Sequence, residues 1–239
     1  MDLYQPCILL DHPDFVACYK PPGRETISET GDPDLLSAVR KLTGEPGLRP
    51  VHRLDRDTSG LQLFARHPVA EEGLTGLFRQ RQIDKVYLAV CLGVPGNRTG
   101  CINRRLSSWQ GGRRPIRVIK GGGGLEASTE YKVVAASDQW HDGKKLSLVE
   151  YGPRQGRTHQ IRVHAAAFGY PILGDDQYGD RLANRQAADD FSLRRQALHS
   201  WHLEFLWNGE TVAISCPLPG DLANLAARVF PRVRMEYFK

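Results

Sequence analysis

The sequence predicts an α+β fold: a central, mostly antiparallel mixed sheet with flanking helices. Three observations predict it. Short apolar or alternating runs recur along the chain, most clearly at 83–90 and 197–206, and turn residues bound them. Between these runs, apolar residues recur at helical spacing, as at Leu35, Leu36, Val39 and Leu42. The 239 residues include 24 glycines and 15 prolines, enough to punctuate many strands. With 41% hydrophobic and 25% charged residues, the composition is that of an ordinary globular protein able to bury a sizeable core. No internal repeat or linker interrupts it, so residues 1–239 are expected to form a single domain.

Taken in order, 7–10 and 15–19 read as strands joined by the turn Asp11-His12-Pro13-Asp14. Lys20-Pro21-Pro22-Gly23 then breaks the sheet. The helix containing Leu35 and Val39 ends at Gly44. Leu61-Gln62-Leu63-Phe64-Ala65 reads as a buried strand. Leu74, Leu77 and Phe78 mark a second helix, whose basic last turn, Arg79-Gln80-Arg81-Gln82, suits a helix C-terminus. Residues 83–90 form the strongest predicted strand, and 126–134 and 145–151 are two more. Ile161, Ala165 and Phe168 fall at i, i+4 and i+7, the inward face of a helix capped by Thr158 and ended by Gly169 and Pro171. Residues 179–196 are polar and are expected to form an exposed excursion. A strand at 197–206 turns at Asn208-Gly209 into 211–215. Leu222, Leu225, Ala226 and Val229 make a final amphipathic helix.

Lys and Arg number 32 against 27 Asp and Glu, a surplus of +5 that is modest in itself. Its distribution is more telling. Residues 101–124 hold Arg104, Arg105, Arg113, Arg114, Arg117 and Lys120 and no acid, among Gly111, Gly112 and four consecutive glycines from Gly121. This predicts a mobile basic hairpin arm at about 98–124, with 115–119 as one strand. Its arginines would follow phosphates and Trp109 would stack on a base. The five cysteines are an odd number with no Cys-x-x-Cys pair, so neither a disulfide framework nor a zinc site is indicated. Cys18 and Cys91 lie in strand-like runs and are expected to be buried. The first residues lack a signal-peptide layout, and the longest apolar run, 86–94, is far short of the ~20 residues that cross a bilayer. A cytoplasmic location follows as the expectation.

Chemistry concentrates in two stretches. Between His52 and Gly60 fall two acids, two arginines, a histidine and two hydroxyls, immediately before the buried strand at 61–65. A rigid scaffold thus presents a polar loop. The second stretch is Gly156-Arg157-Thr158-His159-Gln160-Ile161-Arg162-Val163-His164. Arg157 lies at a helix start, where the dipole favours an anion, and His159 and Arg162 share a face. His159 and His164, five apart with no glutamate between them, make a poor zinc site.

His52-Arg53-Leu54-Asp55-x-x-Thr58-Ser59-Gly60 resembles the active-site signature of the RluA-type pseudouridine synthases. The resemblance continues in the Lys20-Pro21-x-Gly23 turn, in Lys85-x-Tyr87-x-Ala89, and in the second stretch through Gly169-Tyr170-Pro171-Ile172-Leu173-Gly174-Asp175. It closes with Leu198-His199-x-Trp201, covering about 8–225. Residues 24–33 depart from it, being polar where the family is apolar.

The resemblance implies a pseudouridine synthase fold whose cleft is lined by the two stretches. It implies an enzyme that isomerises a specific uridine in structured RNA, tRNA and/or ribosomal RNA, without metal or organic cofactor. Asp55 would be the catalytic carboxylate, Tyr87 would meet the target base, and Arg162 would be the countercharge in an Asp55–Arg162 ion pair. Arg53 would fill the space left by a flipped uridine or hold the flipped nucleotide. His52, Lys20, Arg157, His159 and Gln160 complete the expected substrate contacts. Asp57 is assigned to loop structure, and Thr58 and Ser59 to side-chain-to-backbone bonds within the loop. There is no room for the extra N-terminal RNA-binding domain of many relatives, and a monomer is expected. Two alternatives stand beside this reading: a non-catalytic RNA-binding or chaperone protein on the same fold, and an aspartate-dependent N-glycosidase that releases free base.

Overall fold

The computed structural model describes residues 5–108 and 115–233. In chain order the elements are β1 (Cys7–Asp11), β2 (Phe15–Lys20), α1 (Leu35–Thr43), β3 (Arg49–Pro50), β4 (Ser59–Ala65), α2 (Pro68–Gln80) and β5 (Ile83–Leu92). They continue with β6 (Thr99–Asn103), β7 (Ser128–Ala136), β8 (Leu146–Pro153), α3 (Gln160–Ala167), α4 (Arg181–Phe191), β9 (Leu198–Trp207), β10 (Glu210–Ser215) and α5 (Gly220–Val229). The chain divides into two compact units. One contains the described residues up to Lys85 with His199–Gly220; the other contains Val86–Leu198 and residues 221–233. The mixture of strands and helices is the α+β class that the sequence predicts.

In the first unit β1 pairs antiparallel with β2, β2 with β4, and β9 with β10. One parallel link joins β4 to β9, Ser59 opposite His199 and Gly60 opposite Ser200, so the sheet is mixed. Helices cover both faces. Phe15, Ala17, Tyr19, Leu61, Leu63 and Ala65 pack with Ala70 and Leu74 of α2. Val16, Cys18 and Phe64 turn the other way, onto Leu35, Leu36 and Val39 of α1. Strands buried on both sides read as continuous apolar runs, which is why β2 and β4 carry so few polar residues. Helix α1 is capped by Asp34, which accepts from the Ser37 N–H, and ends at Gly44 in the left-handed region (φ 74°).

In the second unit β6, β7, β8 and β5 form an antiparallel succession. Helix α3 is tied to β7 by side chains: Gln160 and His164 both bond the Thr129 hydroxyl, at 3.0 and 2.8 Å. The expected start of this helix is displaced. Thr158 is not its cap; His159 holds that position in the left-handed conformation (φ 56°), and no side chain caps the helix. Ile161 and Ala165 are buried as expected, but Phe168 is 38% exposed, its ring 5.1 Å from those of Tyr131 and Tyr170.

Two further expectations change. Residues 179–196 are not an unstructured excursion: α4 occupies most of them, capped by Asp180, which accepts from the Ala183 N–H. Its buried stripe is Ala183 and Ala187, too small to register as hydrophobic periodicity. The basic arm is anchored rather than loose. Leu106, Ile116 and Ala127 form a buried cluster with Val163 of α3, and Leu106 bridges to both Val118 and Leu125. Trp109, Arg113 and Arg114 lie outside the described residues. Among the described residues, no helix is long and apolar enough to cross a membrane.

Candidate active site

The signature loop of the first unit is held from below by apolar pegs and from the side by hydrogen bonds. Val51 and Leu54 are buried, as are the Thr58 and Ser59 that lead into β4. Arg53 and Arg56 point outward, and Asp55 between them is half-buried. The Asp55 carbonyl accepts from the Thr58 N–H at 3.1 Å, which closes a turn around the carboxylate-bearing residue. No hydrogen bond or ion pair among the described residues engages the exposed Arg53 side chain.

His52 and Lys20, both expected among the substrate contacts, turn their polar atoms to the protein's own backbone. The His52 ring tilts against Phe78 with centroids 4.5 Å apart, and its Nε2 accepts from the Leu63 N–H at 3.0 Å. Burial, assisted by the Lys85 ammonium, lowers its pKa to about 3. A neutral imidazole acting as an acceptor brings no positive charge to RNA. Lys20 has no exposed surface; its ammonium donates to the carbonyls of Pro21 (2.9 Å) and Arg56 (2.8 Å). It staples the Pro-Pro-Gly turn to the signature loop across 36 positions.

Ser59 departs from expectation in a different way. Its hydroxyl bonds a side chain, His199 Nδ1 at 2.9 Å, and His199 Nε2 lies 2.9 Å from the Cys216 carbonyl. A carbonyl only accepts, so Nε2 carries the proton and Nδ1 accepts from Ser59. The neighbouring Gly60 has φ +121°, and a Cβ there would lie 2.2 Å from the Ser200 oxygen. Glycine is required because β4 and β9 approach backbone to backbone at this point.

In the second unit Tyr87 lies partly buried on β5, in register with Tyr151 of β8. Arg162 is buried and forked onto Asp175: Nε to Oδ2 at 2.7 Å and Nη2 to Oδ1 at 2.9 Å. Asp175 is itself 1% exposed and also accepts from the backbone N–H groups of Gln177 and Tyr178, both at 3.0 Å. The Arg162 guanidinium lies over the Tyr178 ring, 5.1 Å from its centroid. His159 Nδ1 is 2.9 Å from the Tyr178 hydroxyl, so the two residues expected to share a face meet at one phenol. Arg157 is exposed, its Nε donating to the Glu126 carbonyl at 3.4 Å. Gln160 is buried with its amide committed to Ser128 O, Thr129 Oγ1 and the Arg157 N–H, so it shapes the helix start instead of touching a substrate.

The contacts of Asp175, Tyr178 and His199 are not legible in the sequence. Asp175 and His199 stand within the matched stretches, and Tyr178 follows three residues after Asp175. Position alone said nothing about which side chains they hold.

The sequence model of the RNA pseudouridylate synthase family matches residues 14–167. An uncharacterized RNA pseudouridine synthase of Bacillus subtilis, YhcT, is 34% identical over 200 residues, covering 82% of this chain and 62% of the relative. Ribosomal large subunit pseudouridine synthase D of Zymomonas mobilis is 34% identical over 197 residues, covering 80% of this chain and 60% of that protein. The chain thus spans about three fifths of the length of these two relatives. Among solved structures, human RNA pseudouridylate synthase domain containing 1 superposes with a TM-score of 0.74 at 26% identity, over 92% of this chain and 86% of that one. The human domain containing 4 gives 0.73 at 26%, over 92% of each. Sequence and fold comparisons agree, and the chain belongs to the RNA pseudouridylate synthase family, in its RluA-type branch.

Proposed function

We propose that the protein is an RNA pseudouridine synthase that isomerises a specific uridine in structured RNA, of transfer or ribosomal type. The observation that carries this reading is the half-buried Asp55 in a His-Arg-Leu-Asp-x-x-Thr-Ser-Gly loop that Leu54, Thr58 and the Lys20 staple hold rigid. The reaction breaks the N1–C1′ bond of uridine and forms a C5–C1′ bond. C5 loses a proton and N1 gains one, so there is no net oxidation and no call for a metal or organic cofactor. Asp55 supplies the carboxylate, attacking as a nucleophile or removing a proton. Tyr87 meets the base. Arg162 is the countercharge that keeps Asp55 ionised when RNA excludes water. Arg53, exposed beside Asp55, takes the place of the extruded uridine or holds the flipped nucleotide, and Arg157 and His159 contact phosphate. The protein works as a monomer in the cytoplasm.

The test incubates bulk tRNA and ribosomal RNA with the protein and with Asp55→Asn. Wild type is expected to give mass-silent sites whose carbodiimide adducts survive alkali and stop reverse transcription, and Asp55→Asn to give none. Full activity in Asp55→Asn would refute the assignment. Abasic sites would identify a glycosidase, and unaltered RNA a binding protein.

A further inference from the structure

One residue outside both signature stretches joins parts of the second unit that have different jobs. Tyr178 is half-buried and makes contacts of several different kinds. Its backbone N–H donates to Asp175 Oδ1, the oxygen that also accepts from Arg162 Nη2. Its ring lies under the Arg162 guanidinium. Its hydroxyl accepts from the Ile116 N–H at 3.1 Å and bonds His159 Nδ1 at 2.9 Å. Tyr178 also packs against the cluster of Leu106, Ile116, Ala127 and Val163. Ile116 belongs to the basic arm, and its neighbour Arg117 is exposed, as are Arg104, Arg105 and Lys120.

We infer that Tyr178 is a positioning residue that locks the basic arm and the Arg162 guanidinium into one geometry, so that RNA held by the arm meets a correctly aimed countercharge. This rests on the proposed role of Arg162 as partner of Asp55. The two functions of Tyr178 reside in different atoms. The hydroxyl holds the arm and His159. The π face and the backbone N–H hold Arg162 and Asp175. Phenylalanine keeps the second set and loses the first; leucine loses the ring altogether. No other common side chain offers both a flat face for a guanidinium and an oxygen far enough out to reach the arm backbone.

The experiment compares wild type, Tyr178→Phe and Tyr178→Leu on a substrate stem-loop, with KM, single-turnover rate and the salt dependence of RNA binding as readouts. Two lost hydroxyl bonds should raise KM about tenfold in Tyr178→Phe, with the single-turnover rate changed less than about threefold. The slope of log K against log salt should become shallower by about one for each phosphate contact that the released arm gives up. Tyr178→Leu should add a fall of about tenfold in the single-turnover rate, because the guanidinium loses its platform. Thermal melting checks folding; if Tyr178→Leu unfolds, Tyr178→Phe alone decides. Wild-type KM and salt slope in Tyr178→Phe would overturn the inference, as would equal losses in KM and rate that merely follow the melting temperature. Asp55→Asn, run alongside, should bind RNA with the wild-type slope and turn nothing over. If Asp55→Asn remains active, the reading of the site fails; if only the tyrosine variants misbehave, the inference fails alone.

Discussion

Replacing Asp175 by alanine removes four accepted hydrogen bonds at once: two from the Arg162 guanidinium and two from the N–H groups of Gln177 and Tyr178. The Arg162 side chain is 6% exposed and that of Asp175 is 0%, so water does not replace the carboxylate. Stripping one partner from a buried, hydrogen-bonded ion pair costs about 3–5 kcal/mol. In a chain of this size each kcal/mol moves the melting temperature by about 2–4 °C, so a fall on the order of 10 °C is expected. Urea denaturation followed by circular dichroism reads the energy directly, and the stem-loop assay reads the rate. Asp175→Asn keeps one carbonyl acceptor and should lose less stability, yet it should still slow turnover because the neutral amide no longer orients the guanidinium. The nearby Asp176 carboxylate, 3.5 Å from Nη2 but 87% exposed, is the internal control; Asp176→Ala should cost less than about 1 kcal/mol. A loss below about 1 kcal/mol for Asp175→Ala would show that the pair behaves like a surface contact. The account of Arg162 as a guanidinium aimed by its neighbours would then be wrong.

Gly60→Ala places a Cβ 2.2 Å from the Ser200 oxygen at φ +121°, and should lower stability by about 3 kcal/mol or more in chemical denaturation. Gly44→Ala, at φ +74° with nothing within 4 Å, should cost only about 1 kcal/mol. Ser59→Ala removes the hydroxyl that bonds His199 Nδ1 and should cost about 1–3 kcal/mol, with Ser59→Thr rescuing only if its methyl is accommodated. His52 titrates near 6.5 when unfolded and at about 3 in the fold, so its contribution is complete above pH 6.5. As pH falls from 6.5 toward 3, the unfolded chain takes up a proton that the folded one refuses, and stability drops by up to about 1.4 kcal/mol per unit. His52→Gln, which keeps an acceptor, should flatten that slope; an unchanged slope would show that other groups set it.

The sequence was most informative where one physical rule dominates. Continuous apolar runs marked β2 and β4 because both strands are covered on two faces, and Gly44 marked the end of α1 because only glycine enters the left-handed region cheaply. It misled where small or polar residues do the packing. Helix α4 buries alanines, so its inner face looks no different from its outer one. His159 usurps the cap position of α3 in a conformation that a histidine rarely adopts, and nothing in Arg-Thr-His-Gln announces that. The candidate site divides in the same way. Asp55, Arg53, Tyr87 and Arg162 are candidates that the motifs alone nominate. That Lys20, His52 and Gln160 turn their polar atoms onto the protein's own backbone is not legible there, because a buried polar side chain and a ligand-binding one are spelled with the same letters.

The link from Ser59 to His199 spans 140 positions. During synthesis the signature loop leaves the translation machinery early, while its seat on β9 does not yet exist. A nascent chain therefore carries every letter of the motif before it has the His199 contact that seats Ser59 in the finished fold. A fragment truncated before His199 keeps the motif and lacks the imidazole that Ser59 bonds.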